Sequence, residues 1–168
     1  MKEISFKNDI LPLGDLLFRL ALRIVGGNRP EAEDIVQDTL IRLWENKEQL
    51  ADINNIQSYA MTICRNLALD HKEKFENQNI SLCETDHDRA DDHDSPDKAL
   101  IKKQQYETAE QIINQLPEKQ RTLVQLRDIE GKNYQEMADI TGLTLADVKV
   151  TLFRARQTLK EKLSRLAQ

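Results

Sequence analysis

Residues 144–156 place hydroxyl, ammonium and guanidinium groups along one predicted helix. Such groups donate hydrogen bonds to phosphates and to base edges in the major groove of DNA. Just before them, Gly142 can take the positive φ of a tight turn, and Ala138 lets two helices approach closely. The pattern predicts a helix-turn-helix that binds duplex DNA. Its DNA-contacting candidates are Thr144, Lys149, Thr151, Phe153, Arg154 and Arg156.

A helical hairpin whose basic side chains only face solvent is the alternative for this segment. The apolar residues favour the helix-turn-helix, because Met137 and Leu143 lie where its two helices must touch. In the last helix the apolar residues follow a 4-3-4-4-3 spacing, which predicts one continuous buried stripe. That stripe comprises Val148, Leu152, Ala155, Leu159, Leu163 and Leu166.

The rest of the chain is predicted to be helical as well. Only five glycines and four prolines interrupt 168 residues, and apolar residues recur at helical spacing. Helices are expected at about 10–26, 28–46, 56–74, 99–115 and 118–129, with an irregular loop at 47–56. The predicted fold is all-α, with two small helical domains, 1–75 and 99–168, joined by a flexible acidic linker, 76–98. The C-terminal domain carries the helix-turn-helix.

Charge is unevenly distributed along the chain. The net charge is −2 over residues 1–75, −6 over 76–98 and +3 over 99–168, for a total of −5. The acidity therefore lies mainly in the predicted linker, where solubility alone is one explanation for it. The DNA-binding candidates lie in the one segment that is basic.

Several classes of protein are disfavoured. No run of about 18 apolar residues predicts a membrane span, and the N-terminus lacks the pattern of a signal peptide. No phosphate-binding glycine loop, nucleophile elbow or catalytic triad is present, so we expect no enzyme activity and no cofactor. A metal site at Cys83, His87 and His93 is a weak alternative, because their spacing fits no tight ligand set. A cytoplasmic protein is the default expectation.

Three longer motifs resemble bacterial sigma factors. They are "NRPEAEDIVQDTLIRLWE", "IQSYAMTICRNLALDHKEK" and "LPEKQRTLVQLRDIEGKNYQEMADITGLTLADVKVTLFRAR". The short, two-domain chain is similar to the extracytoplasmic-function (ECF) group, and the resemblance covers about residues 10–75 and 100–165. It implies a transcription initiation factor that binds core RNA polymerase, recognises the −10 and −35 promoter elements and helps to open the −10 DNA.

The first motif implies contact with the clamp helices of the largest polymerase subunit. Acidic residues near a helix N-terminus are also favoured by the helix dipole, so charge alone does not require a partner. The residue pattern carries the inference instead. The implied polymerase-binding residues are Ala32, Glu33, Asp34, Gln37, Asp38, Arg42 and Trp44.

The second motif and the loop before it imply recognition of the −10 element. In the family this loop holds a flipped-out base, and extruding a base costs a few kcal/mol that contacts in a pocket must recover. Which loop residues form the pocket stays open. The candidates for −10 DNA binding are Asn54, Asn55, Arg65, Asn66, Lys72 and Lys74.

The third motif implies recognition of the −35 duplex by the residues at 144–156 already named. Asp147, Val150 and Thr151 stand where many family members have Thr, Ser and Arg, so no −35 sequence is predicted. Other implied partners are the polymerase flap region and an anti-sigma factor, without membrane insertion. A stand-alone helix-turn-helix regulator, with an N-terminal sensing or dimerisation module, is the alternative function.

The resemblance also raises the question of how the two domains lie in the free protein. Promoter elements on the order of 20 base pairs apart are separated by ~70 Å. A flexible coil of linker length would not hold the domains at that distance, so polymerase must fix them. A compact, self-inhibited free form is a hypothesis consistent with an acidic linker and a basic C-terminal domain.

Overall fold

The computed structural model describes residues 3–78 and 108–166, and every regular element within those ranges is a helix. The all-α prediction is confirmed. The α-helices are α1 Gly14–Ile24, α2 Arg29–Glu45, α3 Lys47–Leu50, α4 Ile56–Gln78, α5 with residues 108–114 described, α6 Glu118–Val124, α7 Tyr134–Thr141 and α8 Leu145–Leu166.

The N-terminal half is built on α1, α2 and α4, which pack against one another. A π-helical turn, Phe6–Ile10, and a 3-10 turn, Leu11–Leu13, precede α1, where the sequence predicted one helix from residue 10. The predicted stop at the glycine pair is confirmed, since Gly26 and Gly27 have φ of 72° and 98°. The fully buried interior includes Leu17, Leu20, Ile35, Leu43 and Met61.

The C-terminal half is built on α6, α7 and α8. Helix α6 continues through a π-helical turn, Gln125–Ile129. Asn133 and Glu136 form a reciprocal capping box at the start of α7. Gly142 ends α7 in the left-handed region with φ 74°, as predicted for the turn of a helix-turn-helix.

Two local expectations are wrong. The predicted loop at 47–56 begins with a helical turn, α3, so the irregular part is shorter. The predicted stripe of α8 is buried only at Val148, Leu152 and Ala155, while Leu163 is 45% and Leu166 57% exposed. The end of α8 extends past the helices against which its first turns pack, so helical spacing there has no surface to bury against.

The two halves pack against each other. Helix α1 contacts α6 and the π-helical turn Gln125–Ile129, and α4 contacts α7. Buried apolar residues from both halves form one continuous cluster. Most of the predicted linker lies outside the described residues, as do Cys83, His87 and His93, although α4 continues to Gln78. Among the described residues, no helix is long and apolar enough to cross a membrane.

Candidate partner and nucleic-acid interfaces

The outward side of α2 presents most of the residues predicted to contact polymerase. Asn28 caps this helix, since its Oδ1 accepts from the Glu31 N–H at 3.2 Å. Ala32 is fully buried, so its methyl group packs in the core and does not contact a partner, which corrects that prediction. The exposed members of the set are Glu33, Asp34, Gln37, Asp38, Arg42 and Trp44.

The start of α2 is crowded with carboxylates. Burial raises the pKa of the Glu31 carboxyl, nearby His71 lowers it, and Asp34 raises it further. His71 Nε2 on α4 lies 3.4 Å from Asp38 Oδ2. The positive end of the helix dipole favours these acids at this position. The resulting surface is negative and complementary to a basic partner.

Trp44 is an exposed aromatic residue, held in position near the end of α2. Trp44 is 39% exposed. The ring of Phe6 packs edge-to-face against it, with centroids 5.6 Å apart, and Lys47 Nζ lies 4.2 Å from the indole centroid. Fixed aromatic rings of this kind are typical anchors of protein interfaces. Sequence reasoning missed Phe6, because no periodicity links the N-terminal turn to α2.

The loop between α3 and α4 divides its two asparagines between different tasks. Both Asn54 and Asn55 are exposed. Asn55 Oδ1 accepts from the Ser58 N–H at 3.1 Å, so Asn55 caps α4 with its amide oxygen. Its NH₂ group is left to donate. Asn54 is the better candidate for pairing both amide groups with a base edge.

Helix α4 carries the other residues predicted to bind −10 DNA, and they differ in accessibility. Asn66 and Lys74 are exposed, while Arg65 and Lys72 are half-buried. The Nε of Arg65 is buried and has no hydrogen-bond partner within the described part of the chain. The structure thus brings these four residues onto one helix, directly after the asparagine loop.

The turn of the helix-turn-helix positions the first DNA candidate. Thr144 is exposed, but its Oγ1 accepts from the Asp147 N–H at 3.1 Å. This hydroxyl therefore caps α8, and contact with DNA would have to share it. Asp147 lies in the first turn of α8, where the dipole favours it.

The outward side of α8 carries the rest of the predicted −35 surface. Lys149 and Arg154 are exposed, Phe153 is 62% exposed, and Thr151 is half-buried. Val150, where the sequence departs from the pattern of many sigma factors, is 47% exposed. Side chains that stand out from a helix in this way suit insertion into the major groove.

Neighbouring aromatic and acidic residues orient the cations of this surface. Lys149 Nζ lies 5.8 Å from the centroid of Tyr134, and Arg127 Cζ lies 4.9 Å from it. Arg156 pairs with Asp128, which raises the pKa of the guanidinium and occupies the group predicted to contact DNA. Arg127 was missed because it lies outside the recognition helix, although its cationic type was a usable signal.

Two family models match the chain. Sigma-70 region 2 matches residues 10–76, and sigma-70 region 4 matches residues 106–159. The ECF sigma factor SigE of Mycolicibacterium smegmatis is 28% identical over 152 residues, which is 90% of this chain and 58% of SigE. SigL of Mycobacterium tuberculosis is 27% identical over 152 residues, 90% of this chain and 84% of SigL.

The chain belongs to the ECF sigma factors.

Sigma factors of this kind bind core RNA polymerase and direct it to promoters, and the paired region 2 and region 4 matches give this chain the same function. Its fold is also that of a solved structure, the sigma factor RpoE in complex with the anti-sigma factor NepR from Bartonella quintana. The TM-score is 0.76 at 24% identity, with 95% of this chain and 96% of RpoE covered. The resemblance inferred from the three motifs is confirmed.

Proposed function

We propose that this sigma factor contacts core RNA polymerase through the exposed side of α2. The observation that carries the proposal is the orientation of the "AEDIVQ" motif. Ala32, Ile35 and Val36 are buried, whereas Glu33, Asp34 and Gln37 are exposed. Three polar side chains of the motif therefore form a continuous surface, backed by the three apolar ones.

Recognition of the −10 element is assigned to the loop before α4 and to α4 itself. Asn54 is exposed and has no hydrogen-bond partner among the described residues, and Asn66 and Lys74 are exposed on the following helix. Recognition of the −35 duplex is assigned to α8 through Lys149, Phe153 and Arg154. The corresponding domain roles are residues 1–75 for polymerase and −10 binding and residues 99–168 for −35 binding.

Polymerase supplies the chemistry, so the sigma factor itself has no catalytic centre. Among the described residues, no cluster of His, Cys, Asp and Glu could hold a metal ion. Because it acts with polymerase, its place of action is the cytoplasm. An anti-sigma factor is a further proposed partner, supported by the fold shared with RpoE, which was solved with one.

The stand-alone regulator is less well supported. Such a protein has no need of a region 2, yet region 2 matches residues 10–76. The acidic exposed side of α2 would also repel DNA in a protein that approached DNA alone.

Binding to core polymerase tests the proposal directly. The chain is mixed with bacterial core RNA polymerase and co-elution on a sizing column is measured, beside the double variant Asp34→Ala/Gln37→Ala. Removing two central side chains of the α2 surface is expected to weaken binding by at least about tenfold. Both residues are exposed, so the fold is retained.

A matched control removes the same residue types elsewhere. Gln135 and Asp139 are exposed on α7, where Gln135 Nε2 donates to Asp139 Oδ1 at 3.1 Å. The variant Gln135→Ala/Asp139→Ala should co-elute like the unchanged chain. If Asp34→Ala/Gln37→Ala also co-elutes unchanged, α2 is not the docking surface. If the unchanged chain does not co-elute but binds duplex DNA tightly, the regulator is favoured.

A further inference from the structure

The contacts between the two halves involve an unusual set of buried polar side chains. We call these contacts the interdomain interface. The N-terminal half contributes α1 and α4. The C-terminal half contributes α5, α6, the π-helical turn Gln125–Ile129, Lys132 and α7. Among the described residues, four buried polar residues lie there, namely Arg23, Arg121, Gln125 and Lys132. The other three are threonines that hydrogen-bond within their own helices. Buried charge is thus concentrated where the halves meet.

Arg23, near the end of α1, reaches across the interface to three partners. Its Nη1 and Nη2 lie 2.8 and 3.1 Å from the two carboxylate oxygens of Glu110 on α5. Its Nε donates to Gln125 Oε1 at 2.9 Å, and Nη1 also donates to Asn114 Oδ1 at 3.1 Å. This forked, two-point pairing with Glu110 is the strong form of an arginine–carboxylate contact.

Arg121 of α6 makes the reciprocal contact with the end of α1. Its Nε donates to the Arg23 carbonyl at 2.8 Å and its Nη2 to the Ile24 carbonyl at 2.6 Å. These carbonyls belong to the last turn of a helix, where the regular helical partners end and the dipole favours a cation. The Arg23 carbonyl also accepts from the Gly26 N–H at 3.4 Å. The C-terminal half therefore caps a helix of the N-terminal half.

Charged pairs also line the edges of the interface. Arg19 Nε and Nη2 lie 2.8 and 3.1 Å from the carboxylate of Glu130. On the α4 side, Lys132 Nζ donates to Gln57 Oε1, and Ser58 Oγ lies 3.4 Å from Glu136 Oε2. The interface therefore reaches the first turn of α4, immediately after the asparagine loop, where Gln57 stays exposed and Ser58 is half-buried.

The composition of the interface makes it separable. Apolar residues of both halves also meet in one buried cluster. Burying charged groups beside them costs desolvation that their pairing only partly offsets, so the contact is less stable than a wholly apolar one of equal area. Contacts between domains that are rich in polar groups resemble transient interfaces. A pocket of about 240 Å³ bounded by Arg19, Arg23, Glu110 and Asn114 also opens to solvent at the edge of the contact.

The closed arrangement is incompatible with simultaneous binding of both promoter elements. A compact chain of 168 residues has a radius of gyration of about 15 Å and is roughly 40 Å across. Elements ~70 Å apart lie beyond that span. In addition, Lys132 and Glu136 of the C-terminal half contact Gln57 and Ser58 at the start of α4. The outward side of α8 stays exposed.

We propose that the interdomain interface holds the free sigma factor in a self-inhibited closed form, in which Glu110 and Arg121 fasten the end of α1 to the helix-turn-helix half. The inference rests on the proposed function, because it assumes the assignment of α4 to −10 DNA. The interface opens before promoter binding, because the closed form is too compact to reach both promoter elements.

The reactivity of a thiol introduced by Ser58→Cys measures opening. Ser58 is half-buried against Glu136, and the change is nearly isosteric. Cys83→Ser removes the second of the two native cysteines, and the fully buried Cys64 reports global unfolding. Because position 58 is partly exposed in the closed form, the increase in the labelling rate by Ellman's reagent at the introduced thiol, relative to the unchanged interface, reports the gain in open population.

Glu110→Lys places a cation against the buried Arg23 guanidinium and should raise this labelling rate by more than about tenfold. Glu110→Gln keeps the shape and one acceptor, so its rate should rise less. Labelling of Cys64 should stay slow in both. An unchanged rate in Glu110→Lys overturns the proposal, and so does a parallel acceleration at Cys64, which would mean that the halves unfold together.

A charge swap at the edge supplies a second test with little risk to folding. Arg19 is 49% exposed, so Arg19→Glu and Glu130→Arg should each raise the labelling rate roughly two- to fivefold. The double variant Arg19→Glu/Glu130→Arg should restore the slow rate. Failure of the double variant to restore it would show that this pair does not hold the interface.

Competition for a limiting amount of core polymerase tests inhibition separately. Glu110→Lys should outcompete the unchanged chain, because less of it is closed. Fast labelling without a competitive gain would refute self-inhibition while leaving the proposed function intact. If neither chain co-elutes with polymerase, the proposed function fails, whatever the labelling rates show about the interface.

Discussion

Burial decides what several side chains are able to do. Cys64 lies wholly inside the N-terminal half, with its Sγ 3.5 Å from the Leu17 carbonyl. Burial raises the pKa of this thiol to about 12, and a hydrogen bond with Thr39 lowers it only in part. Because the thiolate is the reactive form, the raised pKa keeps Cys64 protonated and inert through the physiological range.

We therefore expect Cys64 to resist alkylation in the folded protein at pH 8. In the Cys83→Ser variant, iodoacetamide should modify it at least about a hundredfold more slowly than in the same chain unfolded in guanidinium. Mass spectrometry of the quenched reaction measures the rates. Equal rates in the two states would mean that the region around α1 and α4 opens readily.

The candidate site was predictable from residue types but not in its details. The motif pattern identified α2 correctly as a polar surface, yet it included Ala32, which is fully buried. It paired Asn54 with Asn55, although Asn55 uses its oxygen to cap α4. A sequence gives the donors and acceptors of each residue, whereas three-dimensional contacts determine which of them are already occupied.

At the level of elements, Gly142 is the residue on which the helix-turn-helix depends most directly. Its φ of 74° is a conformation that side chains with a Cβ rarely adopt, and a Cβ built there would meet no atom within 4 Å. Gly142→Ala should therefore destabilise the chain through backbone strain alone, by about 1–2 kcal/mol. Urea unfolding followed by circular dichroism measures the loss.

Gly14 provides the matched control. It begins α1 with ordinary helical angles, and a Cβ there would also meet nothing within 4 Å. Gly14→Ala should stabilise the chain by about 0.4–1 kcal/mol, because alanine restricts the unfolded state. If both substitutions shift the unfolding midpoint in the same direction, the turn does not require its left-handed backbone.

Helix positions were predictable because spacing and caps are local signals. The glycines after α1 and the turn glycine before α8 ended helices where expected. The end of α8 was not predictable, since helical spacing indicates which side of a helix is apolar and not whether a partner reaches it. The interface arginines were missed for a related reason. Arginine on a helix is usually exposed, and only tertiary contact turns Arg23 and Arg121 inward.

For the whole molecule, the net charge of −5 bears on how an acidic chain comes to bind DNA. A basic recognition surface on α8 gives local attraction, but the summed field of the molecule opposes approach to a polyanion. We therefore expect the chain to bind DNA weakly by itself and to depend on polymerase for delivery. The proposed closure of the interdomain interface acts in the same direction, because a compact chain does not reach both promoter elements.

The acidic segment 84–97 allows this division of labour to be tested by charge alone. Changing its seven carboxylates to amides shifts the net charge from −5 to +2, and non-specific binding of a 40-base-pair duplex should then strengthen by roughly tenfold or more at 50 mM salt. Fluorescence anisotropy measures the affinity. The difference in affinity should shrink towards 1 M salt, where the screening length is about 3 Å.

A control variant with the same residues of this segment in shuffled order keeps the charge and should bind as weakly as the unchanged chain. If shuffling strengthens DNA binding as much as neutralisation does, the order of residues in the segment limits binding by the α8 surface, and the net charge does not.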